Sequence, residues 1–218
     1  MLDIQQDISL LWLWISNKRE GIMVIGIEGP VLAGKTTLIR SLTSLDPKRF
    51  HEIQEYVAYA EGAEKFPYFP PANRKEALLS LGFFTDLEER RHTDRVKNDT
   101  KVIELFDRTI FTLAAFEHAA RLRSGVDIAQ EAIEMLFQHR EWWPNHIILI
   151  KLAPVEIMRR QSLTTHKRGA LFIDQEFNER FIAFLEGIPE RFGVKTSVVD
   201  GNQSKASLLS SVVDIANI

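Results

Sequence analysis

The chain contains no cysteine. That removes disulfides, thiolate metal sites and a thiol nucleophile together, and it suits a protein of the reducing cytoplasm. Its six histidines are scattered without the i,i+4 pairing of a zinc-binding helix, so no metal beyond a nucleotide-bound Mg²⁺ is expected. No charge of one sign dominates. The formal net charge is −3 and the pI about 6.1, which gives no global attraction to nucleic acid or to an anionic membrane. Long apolar runs are also missing. The longest, Ile8 to Ile15, falls far short of the ~20 residues a bilayer span needs, and it lacks a signal peptide's basic leader and small-residue cleavage site. Residues 1–22 read instead as an apolar extension, helical and packed on the domain or on a second subunit, which leaves room for a homodimer. Met23, directly at the first strand, is an alternative natural start. No repeat, low-complexity tract or Gly/Ser linker divides the 218 residues, so 23–218 is expected to form one domain.

Against those absences stands one contiguous string. Gly29-Pro30-Val31-Leu32-Ala33-Gly34-Lys35-Thr36 is a complete G-x-x-x-x-G-K-[ST] loop, followed by Thr37. Before it, Ile22 to Glu28 is apolar and largely β-branched, as a buried parallel strand should be. After it, Leu38, Ile39, Leu42 and Leu45 mark one face of a helix. In that order the chemistry works: glycines let successive backbone N–H groups turn towards a polyphosphate, and the helix N-terminus adds partial positive charge. Lys35 then reaches the β/γ-phosphates and the Thr36 hydroxyl can ligate Mg²⁺. The loop implies ATP as cofactor.

The rest of the chain alternates strand and helix patterns. Strands are expected at 51–55, 102–106, 146–152 and 196–200, and helices at about 73–97, 109–123, 129–136, from Pro154, around the Phe177-Phe181-Phe184-Leu185 stripe, and from Lys205. Residues 56–71, rich in aromatics and proline, read as a loop. Such alternation predicts a three-layer α/β/α fold of the P-loop NTPase type, with a parallel sheet of about five strands and ligands at the strands' carboxyl ends. GTP switches are set aside, because neither Asn-Lys-x-Asp nor Asp-x-x-Gly occurs anywhere. The length favours a small-molecule kinase.

Three further features give that reading its shape: Glu55 in Glu55-Tyr56-Val57, Asp107-Arg108-Thr109, and a basic cluster of Arg159, Arg160, Lys167 and Arg168. With them the chain resembles the deoxynucleoside kinase and thymidylate kinase superfamily. Ile27 to Thr37 matches the Ile-Glu-Gly-x-x-x-Ala-Gly-Lys-[Ser/Thr]-Thr opening of nucleoside kinases. Glu55-Tyr56-Val57 resembles their Glu-Pro-Val, Asp107-Arg108-Thr109 their Glu-Arg-Ser, and the 159–168 segment their arginine-rich lid. The resemblance implies a helical lid at about 159–174, Glu55 as the base or positioner of the acceptor hydroxyl, and Arg108, Arg160 and Arg168 stabilising the transferring phosphoryl group. Glu52 is a rival for the role of Glu55. Asp107 reads as a magnesium aspartate or as a cap of the next helix. Arg159 and Asn202, the latter in the Asp200-Gly201-Asn202-Gln203 loop, fall where the superfamily borders the nucleotide. Phe83, Phe84, Tyr56, Tyr59, Phe66, Tyr68 and Phe69 could stack an acceptor base, and Arg90 or Arg91 lies where thymidylate kinases hold an acceptor phosphate or simply at a helix's polar end.

Departures from the patterns divide the substrates. Val31 stands where thymidylate kinases carry an acid, which tilts towards a nucleoside acceptor, whereas Asp107-Arg108 is closer to their Asp-Arg-Tyr. The expected activity is Mg²⁺-dependent transfer of the ATP γ-phosphate to a nucleoside or related small hydroxyl compound. A thymidylate-kinase-like monophosphate kinase and a non-catalytic ATP-binding regulatory protein are the alternatives.

Overall fold

The computed structural model describes residues 22–95, 101–165, 169–216 and 218. The expected N-terminal extension, as well as Lys167 and Arg168 of the basic cluster, therefore lies outside the described residues, apart from Ile22. Five strands, β1 (Met23–Glu28), β2 (Phe50–Ile53), β3 (Ile103–Asp107), β4 (His146–Lys151) and β5 (Lys195–Asp200), form one sheet of order β2-β3-β1-β4-β5. Every pairing is parallel, with Ile27 beside Asp107 and Ile53 beside Phe106, so the carboxyl ends of β1, β2 and β3 lie together.

Alternation along β4 shows why the sheet needs helices on both faces. Ile147 and Leu149 enter one core, Ile148 and Ile150 the other, and all four are fully buried. The second core also takes Ile25 and Ile27 of β1 and is covered by α1 (Lys35–Leu45) and α8 (Lys205–Ala216). The first, larger core is covered by α3 (Arg74–Thr93), α4 (Ile110–Ser124), α5 (Ala129–Gln138) and α7 (Gln175–Arg191). The predicted Phe177, Phe181, Phe184 and Leu185 stripe faces inward there, each at most 6% exposed.

Local chemistry sets the helix ends. Asn73 caps α3 by accepting from the Glu76 N–H, while the Glu76 carboxylate accepts from Ala72 N. Thr109 and Asp174 cap α4 and α7. Gly125 ends α4 at φ 68°, a left-handed position that favours glycine, and Pro154 opens α6 (Pro154–Leu163) in its first turn.

Several boundaries differ from the sequence reading, among them the end of α3, which stops at Thr93 rather than near residue 97. The stretch expected as a loop from Tyr56 holds a one-turn helix, α2 (Tyr56–Tyr59), and a 3₁₀ turn, Ala63–Lys65. The Tyr56 ring is buried and its hydroxyl donates to the Thr109 carbonyl at 3.0 Å, which pins that turn to the core. β2 stops at Ile53, so Glu55 sits two residues beyond the strand, as the residue preceding α2. Asp107 is the last residue of β3 rather than the first after it. Among the described residues no helix is long and apolar enough to cross a membrane, and no cluster of three or more His, Cys, Asp or Glu gathers as a metal centre.

Candidate active site

The glycine-rich loop leaves β1 and enters α1, as its spacing predicts. Gly29 has φ 144°, and a Cβ there would stand 2.4 Å from the Ile150 carbonyl oxygen, so both conformation and contact require glycine. Gly34 follows at φ 93° and Leu32 at φ 66°, a left-handed turn that curls the backbone between them. Lys35 folds back over this turn and donates to the Gly29 and Pro30 carbonyls at 3.3 and 3.0 Å. Burial lowers its ammonium pKa to about 8, helped by the nearby charge of Arg108 and opposed by Asp107, Glu55 and Glu28. A polyphosphate in the loop would relieve that penalty. The Thr36 hydroxyl donates to Oδ2 of Asp107, joining the two candidate magnesium residues, and Oδ1 of Asp107 is buried without a hydrogen-bond partner. A hydroxyl and an ionisable carboxylate with an orphaned oxygen form a hard oxygen donor set that fits Mg²⁺.

Arg108 follows Asp107 in a left-handed conformation, φ 69°, which costs a non-glycine residue on the order of 1–2 kcal/mol. The turn aims its buried guanidinium back across the strand ends. Nε donates to Oε1 of Glu55 at 2.6 Å, Nη1 donates to the Gly29 carbonyl at 3.2 Å, and the group lies over the Phe116 ring. Burial disfavours its charge, but Glu55, Glu28 and Asp107 outweigh burial and raise its pKa above the ordinary value. Glu55, Asp107, Arg108, Lys35 and Thr36 are thus brought to one place. Glu52 is not: it lines a separate surface recess with His51, Gln54 and Tyr59.

Two cavities flank the loop. The first, about 480 Å³, is bordered by Ala33, Gly34 and Thr37 on one side and by Arg159, Arg160 and Asn202 on the other. Arg160 clamps it: Nη1 donates to the Leu32 carbonyl at 2.9 Å and Nη2 to the Gly201 carbonyl at 2.8 Å. Gly201 admits no side chain, since a Cβ would meet the Lys151 carbonyl oxygen at 2.8 Å. Asn202 accepts from Ala153 N at 3.1 Å. Arg159 is largely exposed. Both arginines lie on α6 and share Glu156, whose pKa falls to about 2 through hydrogen bonds from Arg159 and then Arg160.

The second cavity, about 280 Å³, counts Val31, Glu55 and Arg108 among its lining residues. Phe66, Phe69, Phe84, Phe116 and Phe172 supply most of its wall. Of the aromatics expected to stack a base, Tyr56, Phe66, Phe69 and Phe84 line it. Phe83 packs behind, Tyr59 belongs to the separate recess, and Tyr68 stands 81% exposed.

Several polar residues of this side have roles that the sequence does not disclose. Glu28, fully buried at the end of β1, accepts from Thr109 N and Oγ1 at 2.8 Å each and from the Thr112 hydroxyl at 2.6 Å. It fixes the turn that carries Arg108, and burial raises its pKa against the pull of Arg108. Its signal was a lone carboxylate in an apolar run. Arg91, read at the sequence level as a phosphate ligand or a polar helix end, is fully buried and does neither. It donates to the carbonyls of Gln54 at 2.9 Å, Asp107 at 3.0 Å and Arg108 at 2.8 Å, and pairs with buried Glu88. One guanidinium therefore ties the end of β2 to the end of β3, and Glu55 to Arg108 with them. Arg90 points outward.

Two solved structures of deoxyadenosine kinase from M. mycoides superpose at a TM-score of 0.64. The one with bound dATP is 16% identical and matches 90% of this chain and 100% of its own. The one with the products dCMP and a flexible dCDP is likewise 16% identical, matching 89% of this chain and 98% of its own. No protein-family model and no curated protein sequence matches the chain. The chain has the fold of deoxyadenosine kinase. At that identity the likeness speaks for architecture, and the chemistry rests on the residues.

Proposed function

We propose that the protein is a kinase that transfers the γ-phosphate of Mg·ATP to a hydroxyl group of a nucleoside. The observation that carries this is the position of the Glu55–Arg108 pair: it lines an aromatic cavity that includes Val31 of the phosphate loop, and the next residues of that loop line the cavity bordered by Asn202. ATP fits with its base against Asn202 and Arg160 and its phosphates on the loop amides and Lys35. Thr36 and Asp107 would hold Mg²⁺, which when bound would supply neutralisation of charge on the phosphates. Glu55 takes the proton of the acceptor hydroxyl as that oxygen forms its bond to the γ-phosphorus, the β,γ-bridge breaks, and ADP leaves. Arg108 holds Glu55 in place and lends positive charge to the transferring group. Arg168 of the basic cluster would add to that charge.

A nucleoside acceptor is favoured over a monophosphate by the charges in the cavity. Among its described lining residues Arg108 is the one cation, and it is already paired with Glu55. Arg91, which a phosphate would need, is consumed within the protein. The deoxyadenosine kinases that share the fold agree with this reading.

The test is acceptor-dependent ADP formation with Mg·ATP and a panel of nucleosides and nucleoside monophosphates. Turnover on nucleosides supports the proposal. Turnover confined to monophosphates replaces it with the thymidylate-kinase-like alternative, and ATP binding without turnover on any acceptor replaces it with a regulatory role.

A further inference from the structure

The aromatic cavity contains one carboxyl group that the transfer chemistry does not use. Glu117 lines the cavity together with Leu113, one turn before it on the same face of α4, and with the neighbouring Phe116. It is 8% exposed, and no hydrogen bond or ion pair to it is present among the described residues. A carboxylate so placed costs several kcal/mol in an apolar wall unless something pairs with it. Its surroundings contain little that could. The titratable groups sharing the cavity are Glu55, Tyr56 and Arg108. Arg108 is held by Glu55 and the Gly29 carbonyl, and Tyr56 donates to Thr109. From α3 the neighbours are Ser80, Leu81 and Phe84, and from the segment after residue 168 they are Gly169 and Phe172. Arg121 and, from α7, Arg180 act on the adjacent His118 rather than on Glu117. Burial alone raises the Glu117 pKa, to about 7.

Resting on the nucleoside-kinase reading, we infer that Glu117 selects the acceptor base: its carboxyl, neutral when paired, takes an amidine edge, an exocyclic amino group beside an unprotonated ring nitrogen. The acid O–H donates to the ring nitrogen and the carbonyl oxygen accepts from the amino group, satisfying both oxygens at once. Adenine and cytosine present that edge. Thymine and hypoxanthine carry a carbonyl oxygen in place of the amino group and a proton on the ring nitrogen, so the acid pairs with them only with donor and acceptor exchanged, its O–H on a less basic carbonyl oxygen. Guanine offers two donors, which would call for the ionised carboxylate that this wall disfavours. The stacked rings around Glu117 supply affinity for any base, and the carboxyl supplies the choice.

The experiment compares wild type, Glu117→Gln and Glu117→Leu for kcat/KM on deoxyadenosine, deoxycytidine, deoxyguanosine and thymidine between pH 6 and 9. Wild type is expected to prefer the two amidine bases by roughly ten- to a hundredfold. The Gln amide reproduces the donor and acceptor of the neutral acid, so that variant should keep the preference, and Leu should lose it. In wild type the KM for deoxyadenosine should rise as pH passes about 7, approaching tenfold per unit. In the Gln variant that rise disappears. Any titration of Lys35 is common to both proteins and cancels in the comparison. A preference that survives in the Leu variant, a Gln variant as impaired as Leu, or a KM rise that persists in Gln would each overturn the inference. Those results differ from failure of the underlying reading, in which no nucleoside supports ADP formation in any of the three proteins.

Discussion

The nucleotide side and the acceptor side of this site are built in different ways. Around the first cavity the working groups are backbone: loop amides, the carbonyls of Leu32 and Gly201 gripped by Arg160, and glycines whose missing Cβ atoms leave room for main chain. Around the second they are side chains drawn from the positions just beyond β2 and β3, from α2, the 63–69 stretch, α3, α4 and the segment after residue 168, oriented by charges buried behind them. A backbone cradle needs a particular sequence in one short string. A side-chain pocket needs only shape and polarity at dispersed positions, so it can change its ligand while the fold stays the same.

The sharpest way to separate the two sides is Glu55→Gln. If Glu55 takes the acceptor proton, kcat should fall by roughly 10²–10⁴, while the Kd for Mg·ATP, measured by titration calorimetry, stays within about twofold, since the loop is untouched. Retained kcat would remove Glu55 from the reaction. A large loss of ATP affinity would mean the two sides are not separable as described.

Next in size is the buried tie beneath the acceptor side. Burial pushes Glu88 up, but the Arg91 guanidinium and then the hydrogen bond from His92 outweigh it and hold the carboxyl below its ordinary value. Arg91→Met leaves that buried carboxylate without its guanidinium partner and should destabilise the fold by about 3–5 kcal/mol in urea unfolding. Adding Glu88→Gln should recover a good part of the loss, while acceptor KM stays raised because Gln54 and Asp107 are no longer joined. A double variant no more stable than the single would show that the strand tie, not the stranded charge, carries the energy.

How much of this the sequence disclosed follows the same division. The phosphate loop, its flanking strand and helix, the cap at Gly125 and the start at Pro154 were readable because each rests on contiguous residues with one physical reading. The ends of β2 and β3 moved by one or two residues, since apolar runs do not mark where pairing stops. Glu88-Glu89-Arg90-Arg91 read as a charged helix end because composition hides geometry. Positions 88 and 91 are three apart and turn inward together, leaving 89 and 90 in water. The sheet edge that buries them is distant in sequence. Glu117 gave a fainter sign, one carboxyl in the largely apolar stretch from Ile110 to Ala120. Phe172 gave none, because its place in the cavity comes from the tertiary path of the chain.

Glu117 offers a test on stability that requires no substrate. Its carboxyl titrates at about 7 in the folded protein, against 4.5 ordinarily. A raised carboxyl pKa means the folded state holds its proton more tightly, so the contribution to stability is complete below about 4.5 and is lost as pH rises to about 7. Glu117→Gln escapes that loss. Its stability advantage over wild type should grow from near zero at the acid end to about 3 kcal/mol above pH 7, several degrees in Tm. An advantage independent of pH would show that the carboxyl does not titrate in the wall of an apolar pocket.

The smallest contrast lies on the nucleotide side, between adjacent arginines. Arg160 holds two carbonyls on opposite walls of the first cavity, whereas Arg159 pairs with Glu156 at the surface. Removing the former frees the Leu32 and Gly201 carbonyls and should weaken ATP binding by about 1–2 kcal/mol, roughly five- to thirtyfold in Kd. Arg159→Ala breaks an exposed ion pair and should move neither ATP affinity nor stability by more than about 0.5 kcal/mol. Titration of both variants with Mg·ATP decides the matter. Equal losses would mean that charge near the phosphates matters more than the clamp, and the nucleotide side would then depend on side chains as the acceptor side does.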